Sequence, residues 1–183
     1  MTEDEQVVRR VVSGEREAFR LLVVTHQSAV CATIRALLGG AADWEDLGQE
    51  VFLAAFQHLA TFDPNRGSFR TWLLAIARNR CRNALRRPAS LQLEAVLEQS
   101  HDRTPDQAAM EAECFQRLDE GLAALPESQR ELFVLIELQG LSYEEAAHVS
   151  EVSVGTVKSR LSRAKARLRE LLQAVSFEIH ESS

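Results

Sequence analysis

Two stretches of this sequence carry cations with no acid between them, and contact with a polyanion is the chemistry they fit. Arg66, Arg70, Arg78, Arg80, Arg82, Arg86 and Arg87 make the first; Lys158, Arg160, Arg163, Lys165, Arg167 and Arg169 make the second. Together they hold 13 of the 21 basic residues of a chain whose net charge is −6. The acids gather elsewhere, from Asp43 to Glu50 and from Glu94 to Glu120. Such segregation points to two separate phosphate contacts, with the acidic remainder limiting indiscriminate binding. A merely solvated helix face would interleave acids with its cations, and neither stretch does.

Other chemistries find little support. His26, His58, His101, His148 and His180 are isolated, no carboxylate cluster sits beside a histidine at metal spacing, and no glycine-rich phosphate loop occurs. Cys31, Cys81 and Cys114 are scattered without paired spacing, so neither a zinc site nor a disulfide framework is indicated. No catalytic residue, metal or cofactor is therefore expected. The acidic N-terminus has the wrong charge for a secretory signal, and no stretch approaches the roughly 18 consecutive apolar residues of a spanning helix. A cytoplasmic protein without membrane insertion is expected.

The elements that position the cations are helices. Apolar residues recur at helical spacing from Glu15 to Leu38, where Gly39-Gly40 stops them, and from Asp43 to Leu59. Asp43, Glu45 and Asp46 suit the second helix's first turn. Thr61 to Ser68 is loop chemistry, and a third helix runs from Phe69 to Arg87, before Pro88. Trp72 shares a face with Ile76 and is assigned to the core. The fold expected is all-α, two small helical domains joined by a flexible linker: 1–88, linker 89–107, 108–176 and a frayed tail 177–183. In the second domain a helix from Ala108 to Ala124 precedes one opened by Pro126 and closed at Gly140.

Ser142-Tyr-Glu-Glu145 is a capping box, starting a helix of about two turns; Ser153 then caps a longer one. On the longer helix Val157, Leu161, Ala164 and Leu168 share a core face. Gly155, Thr156, Ser159, Ser162 and Arg163 lie opposite, flanked by Lys158 and Arg160. A short capped helix, a tight turn and a basic helix with a small-residue outer face describe a helix-turn-helix that enters the major groove of duplex DNA.

Leu125-Pro-Glu-Ser-Gln-Arg-Glu-Leu132, Leu141-Ser-Tyr-Glu-Glu-Ala-Ala147 and Ser153-Val-Gly-Thr-Val-Lys-Ser-Arg-Leu-Ser-Arg-Ala164 resemble region 4 of bacterial extracytoplasmic-function (ECF) sigma factors. Gly14-Glu-Arg-Glu-Ala-Phe19, Asp43-Trp-Glu-Asp-Leu-Gly-Gln-Glu-Val-Phe52 and Phe69-Arg-Thr-Trp-Leu-Leu-Ala-Ile-Ala-Arg-Asn79 resemble region 2. The resemblance implies a promoter-specificity subunit of core RNA polymerase. It assigns Thr156, Lys158, Ser159, Arg160, Ser162 and Arg163 to the minus-thirty-five duplex. It assigns the minus-ten strand to region 2, where Asn65, Arg66 and Ser68 offer a loop for an extruded base and Phe69 a ring for stacking. Arg78, Arg82 and Arg86, spaced four apart, could follow a backbone, and Asn79 and Asn83 could read base edges. Asp43, Asp46, Leu47, Gln49 and Glu50 would dock on the clamp helices of the polymerase largest subunit, and region 4 on its flap. An anti-sigma factor is an implied partner.

The chain departs from the family pattern at three places: Ser150-Glu151 in the turn, where leucine and glycine are usual; Gly48 in the docking helix; and Asn83, where aspartate is common. Glu151 raises the expectation of a reshaped turn, and Gly48 of a weaker helix. The alternative reading is a polymerase-independent helix-turn-helix regulator, which would carry a ligand or dimerisation domain in place of the second basic module.

Overall fold

The computed structural model describes residues 1–39, 44–86 and 118–181, with side chains to 171. The expected linker, Asp43, Arg87 and Cys114 lie outside the described residues. Among those described there are helices and no strands.

Helix α1, Glu3–Val12, opens under Thr2, whose hydroxyl accepts from the Glu5 N–H, with Glu3, Asp4 and Glu5 in the first turn and Arg9 and Arg10 in the last. A 3₁₀ turn, Arg16–Ala18, leads into α2, Phe19–Leu38, which ends at Gly39 with φ 68°. Next come α3, Trp44–His58, and α4, Phe69–Leu85. The second unit has a short helical stretch at 118–123 (α5), then α6, Glu127–Phe133, which runs on as a π-turn over Val134–Leu138. Helices α7, Tyr143–Ser150, and α8, Val154–Glu181, complete it. Residues 177–181 of the tail expected to fray continue α8; no proline or glycine follows Gly155 in the sequence.

Helix α2, with its 3₁₀ turn, is long and apolar enough by composition to cross a bilayer. Here it is the core helix of the first unit: Leu22, Val30, Ile34 and Leu37 are buried, and α3 and α4 pack against it. Buried His26 reaches α1 through Asp4 Oδ2 at 3.0 Å.

The two units share their interior. Val30, Ile34 and Leu37 belong to one apolar cluster with Leu122, Leu125, Val134 and Leu168. Leu74 of α4 is buried among Leu132, Leu135, Leu141, Val149 and Val157. The sequence expectation of two modules on a linker contained no sign of this docking.

Gly48 serves no close approach. A Cβ there would meet only Cys31 Sγ at 3.8 Å, an ordinary contact. Gly48→Ala is therefore expected to stabilise the chain by about 1 kcal/mol through helix propensity alone, read as a rise in Tm of a few degrees; a fall in Tm would mean that α3 needs the glycine.

Candidate nucleic-acid interface

The helix-turn-helix is built as its residue types require. Ser142 Oγ accepts from the Glu145 N–H at 3.1 Å while Glu145 Oε2 accepts from the Ser142 N–H at 2.9 Å, closing the capping box. Ser153 Oγ accepts from the Thr156 N–H at 3.1 Å and so starts α8. Between them Glu151 takes φ 56°, ψ 42°. The turn thus places a left-handed residue at Glu151, the one non-glycine residue with positive φ among those described. Glu151→Gly should relieve that conformation and raise stability by about 1 kcal/mol, measured by urea unfolding; no gain would show that the turn is unstrained.

On α8, Val157, Leu161, Ala164 and Leu168 are buried and Lys158, Ser159, Ser162 and Arg163 stand in solvent, with Thr156 and Arg160 half-exposed. The Thr156 hydroxyl lies 2.9 Å from Ser153 Oγ, within the cap. The basic run divides: Lys165 turns back to Glu137 at 2.8 Å, leaving the cations nearer the helix start on the outer face.

The first basic stretch, on α4 and the loop before it, is placed less simply. Asp63 Oδ1 accepts from both the backbone and side-chain amides of Asn65, at 3.0 and 2.9 Å, shaping the loop before Gly67. Ser68 caps α4 through the Thr71 N–H. Asn65, Arg66, Ser68, Asn79, Asn83 and Arg86 are exposed and Arg82 half-exposed. Phe69 is not available to a base: it is 1% exposed, with Phe62 and Trp72 each at 5.6 Å and His26 at 5.4 Å between ring centroids. Trp72, assigned to the core, is half-buried in that cluster.

Arg78 departs furthest from expectation. It is 4% exposed and its Nε lies 3.0 Å from Glu131 Oε1 of α6, a close ion pair whose N–H is not aligned on the oxygen. Its Nη2 donates to Ser150 O at 3.4 Å and its Nη1 to Asn79 Oδ1 at 2.9 Å. The stripe expected through Arg78, Arg82 and Arg86 is thus interrupted at its first member. Two further bonds cross between the units beside it. Arg70 donates to Gln139 O and, at 2.8 Å, to Gln139 Oε1; the Thr71 hydroxyl donates to Glu145 Oε1 at 2.7 Å. A cavity of about 260 Å³ opens between the loop and α7, with Phe62, Arg66 and Trp72 on one side and His148 and Val149 on the other.

Burial acts to raise the Glu145 carboxyl, but bonds from Ser142 and Thr71 and the nearby Arg70 charge together hold it below its usual value. A carboxylate so lowered stabilises the fold above the unfolded value and loses that contribution as pH falls through the lowered one. Tryptophan fluorescence should therefore report loosening of the α4–α7 contact on acidification below the ordinary glutamate range. Glu145→Gln should blunt that transition; an unchanged profile would exclude Glu145 as its source.

On α3, Asp46, Gln49 and Glu50 share an exposed face, with Arg80 3.6 Å from Glu50 and Leu47 half-buried. Leu53, three and four residues beyond Glu50 and Gln49, stands 58% exposed in the middle of it. Sequence reasoning passed over this leucine; the spacing from Asp46 was the available signal. Cys81 is buried, which pushes its thiol up to about 12, and Cys31 is raised chiefly by burial too, so neither is a thiolate at neutral pH. Among the described residues no group of three His, Cys, Asp or Glu is placed to hold a metal.

Residues 22–90 match the family described as Sigma-70 region 2, and residues 115–168 that described as Sigma-70, region 4. The RNA polymerase sigma-H factor of Pseudomonas aeruginosa is 34% identical, over 93% of this chain and 94% of that protein. The ECF RNA polymerase sigma-E factor of Escherichia coli K12 gives the same identity over 93% and 94%. Among solved structures, CnrH in complex with the cytosolic domain of CnrY is similar at a TM-score of 0.71 and 32% identity, covering 93% of this chain and 97% of that one. The sigma factor RpoE in complex with the anti-sigma factor NepR from Bartonella quintana is similar at 0.69 and 28%, covering 85% and 96%.

Proposed function

The chain belongs to the ECF sigma factors of RNA polymerase, and on that premise we propose how its two regions divide the work. It is a promoter-specificity subunit that binds core polymerase and directs initiation, and its relatives' pairing with anti-sigma factors makes such a regulator its partner too. The polymerase-independent regulator is not favoured, because a region 2 match fills the place of a ligand or dimerisation domain.

Region 4, taken as 108–176, reads the minus-thirty-five duplex with Lys158, Ser159, Arg160, Ser162 and Arg163, Thr156 setting the helix start. The observation that carries this is the exposed face over the first turns of α8, residues 155–163, which holds no acid. Region 2, taken as 1–88, holds the minus-ten strand with Asn65, Arg66, Ser68, Asn79, Arg82, Asn83 and Arg86. Arg78 would join them only after leaving Glu131, and Phe69 serves by supporting the loop. Asp46, Gln49 and Glu50 dock on the clamp helices around Leu53, an exposed apolar residue of the kind that anchors interfaces; Asp43 and Leu47 border them. The protein acts without catalysis of its own, in the cytoplasm.

Run-off transcription with purified core polymerase over a randomised promoter library tests this reading. Enrichment of two spaced elements supports it, and no transcription above core alone overturns it. Specific binding should also fall steeply with salt, because phosphate contacts release counterions.

A further inference from the structure

We propose that Lys158 is a modification site: its amine takes an acyl group from an acyl phosphate, which weakens reading of the minus-thirty-five duplex and touches no other contact of the chain. The proposal rests on the reading of α8 as the duplex-reading face.

The basic residues are sharply divided by type. Of the 21, 19 are arginine, and the two lysines, Lys158 and Lys165, both lie on α8. An arginine guanidinium stays protonated and does not accept an acyl group, whereas a lysine amine does. Apart from its amino terminus, the chain therefore offers acyl chemistry two nitrogens, both on one helix of region 4. Region 2 offers none, since residues 1–88 contain no lysine.

The structure separates the two amines. Lys165 Nζ lies 2.8 Å from Glu137 Oε1, so its ammonium is occupied as a donor to a carboxylate. Lys158 is exposed and pairs with no acid among the described residues. It shares the solvent face of α8 with Arg163, and an anionic acyl donor is drawn to that acid-free surface. The unprotonated Lys158 nitrogen attacks the acyl carbon. The N–C bond forms, the bond from that carbon to the phosphate oxygen breaks, inorganic phosphate leaves with the electron pair, and the amine proton passes to water. The amide that remains is neutral, so the phosphate attraction and the ammonium donors for a guanine edge are lost together. The arginines of α4 and the acids of α3 are chemically unchanged.

Full-length protein treated with acetyl phosphate tests the site. Peptide mass spectrometry should find Lys158 acetylated well ahead of Lys165; equal or reversed occupancy would overturn the selectivity. Fluorescence anisotropy with the minus-thirty-five duplex taken from the library winners should show the treated chain bound about tenfold more weakly, as loss of one base contact gives. Its binding to core polymerase should not move. Lys158→Arg should hold its own untreated affinity through the treatment, while Lys165→Arg should weaken as the unsubstituted chain does. A treated Lys158→Arg that weakens equally would place the effect on another group and overturn the assignment. Undiminished duplex binding by chain acetylated at Lys158 would overturn the switch, and Arg163→Ala then locates the fault. Weakened binding in that variant condemns the role of Lys158 alone; unchanged binding condemns the reading face beneath it.

Discussion

Phe69→Ala is expected to cost about 3–5 kcal/mol of folding stability, as deletion of a buried aromatic ring does. The ring is 1% exposed and is met by Phe62, Trp72 and His26, so its removal leaves a cavity where the loop, α2 and α4 converge. Urea unfolding followed by circular dichroism would show the loss as a lower midpoint with little change in slope. The resemblance placed a base-stacking ring at this position, and the two roles separate cleanly. A stacking residue would lose strand affinity with stability nearly intact, so a loss below about 1 kcal/mol would return Phe69 to the DNA surface.

Lys158→Ala combined with Arg163→Ala should reduce affinity for the cognate minus-thirty-five duplex on the order of 100-fold, since each good base contact is worth about 1–3 kcal/mol. Both side chains lie in solvent, so stability should move by no more than about 0.5 kcal/mol. Binding to core polymerase should be unchanged, because the docking face proposed for it lies on α3. Transcription at native level from a strong cognate promoter would refute the recognition face.

The helices were legible wherever apolar spacing and punctuation agreed. Gly39, Pro126 and Gly140 marked the ends, and the Ser142 and Ser153 caps gave the helix-turn-helix almost residue for residue. Helix α1 was passed over, although Thr2 and the acid-to-base order from Glu3 to Arg10 announce it, because its apolar residues are four β-branched valines. The face of α8 was readable since one helix creates it. The fate of Arg78 was not: its partner Glu131 belongs to another region, and no local spacing reports a contact made on docking. Phe69 failed for the same reason, since His26 and Phe62 reach it from two other elements. Glu151 shows a third limit. Its side chain raised the expectation of a changed turn, and the backbone takes the left-handed conformation there with a carboxylate in place.

The π-turn at Val134–Leu138 sets the aim of Gln139. There the Gln139 N–H donates to Val134 O, five residues back, so the helix carries one residue more than an α-turn would hold. Each residue advances an α-helix by about 100°. Deleting one amino acid from the α-helical turns before the π-turn, Glu127–Phe133, with the wide turn kept, would swing whatever follows by about that angle, aiming a different side chain at Arg70. Neither nucleic-acid face would change in composition. A single in-frame codon loss could thus retune the association of the two regions, leaving promoter preference to be inherited intact.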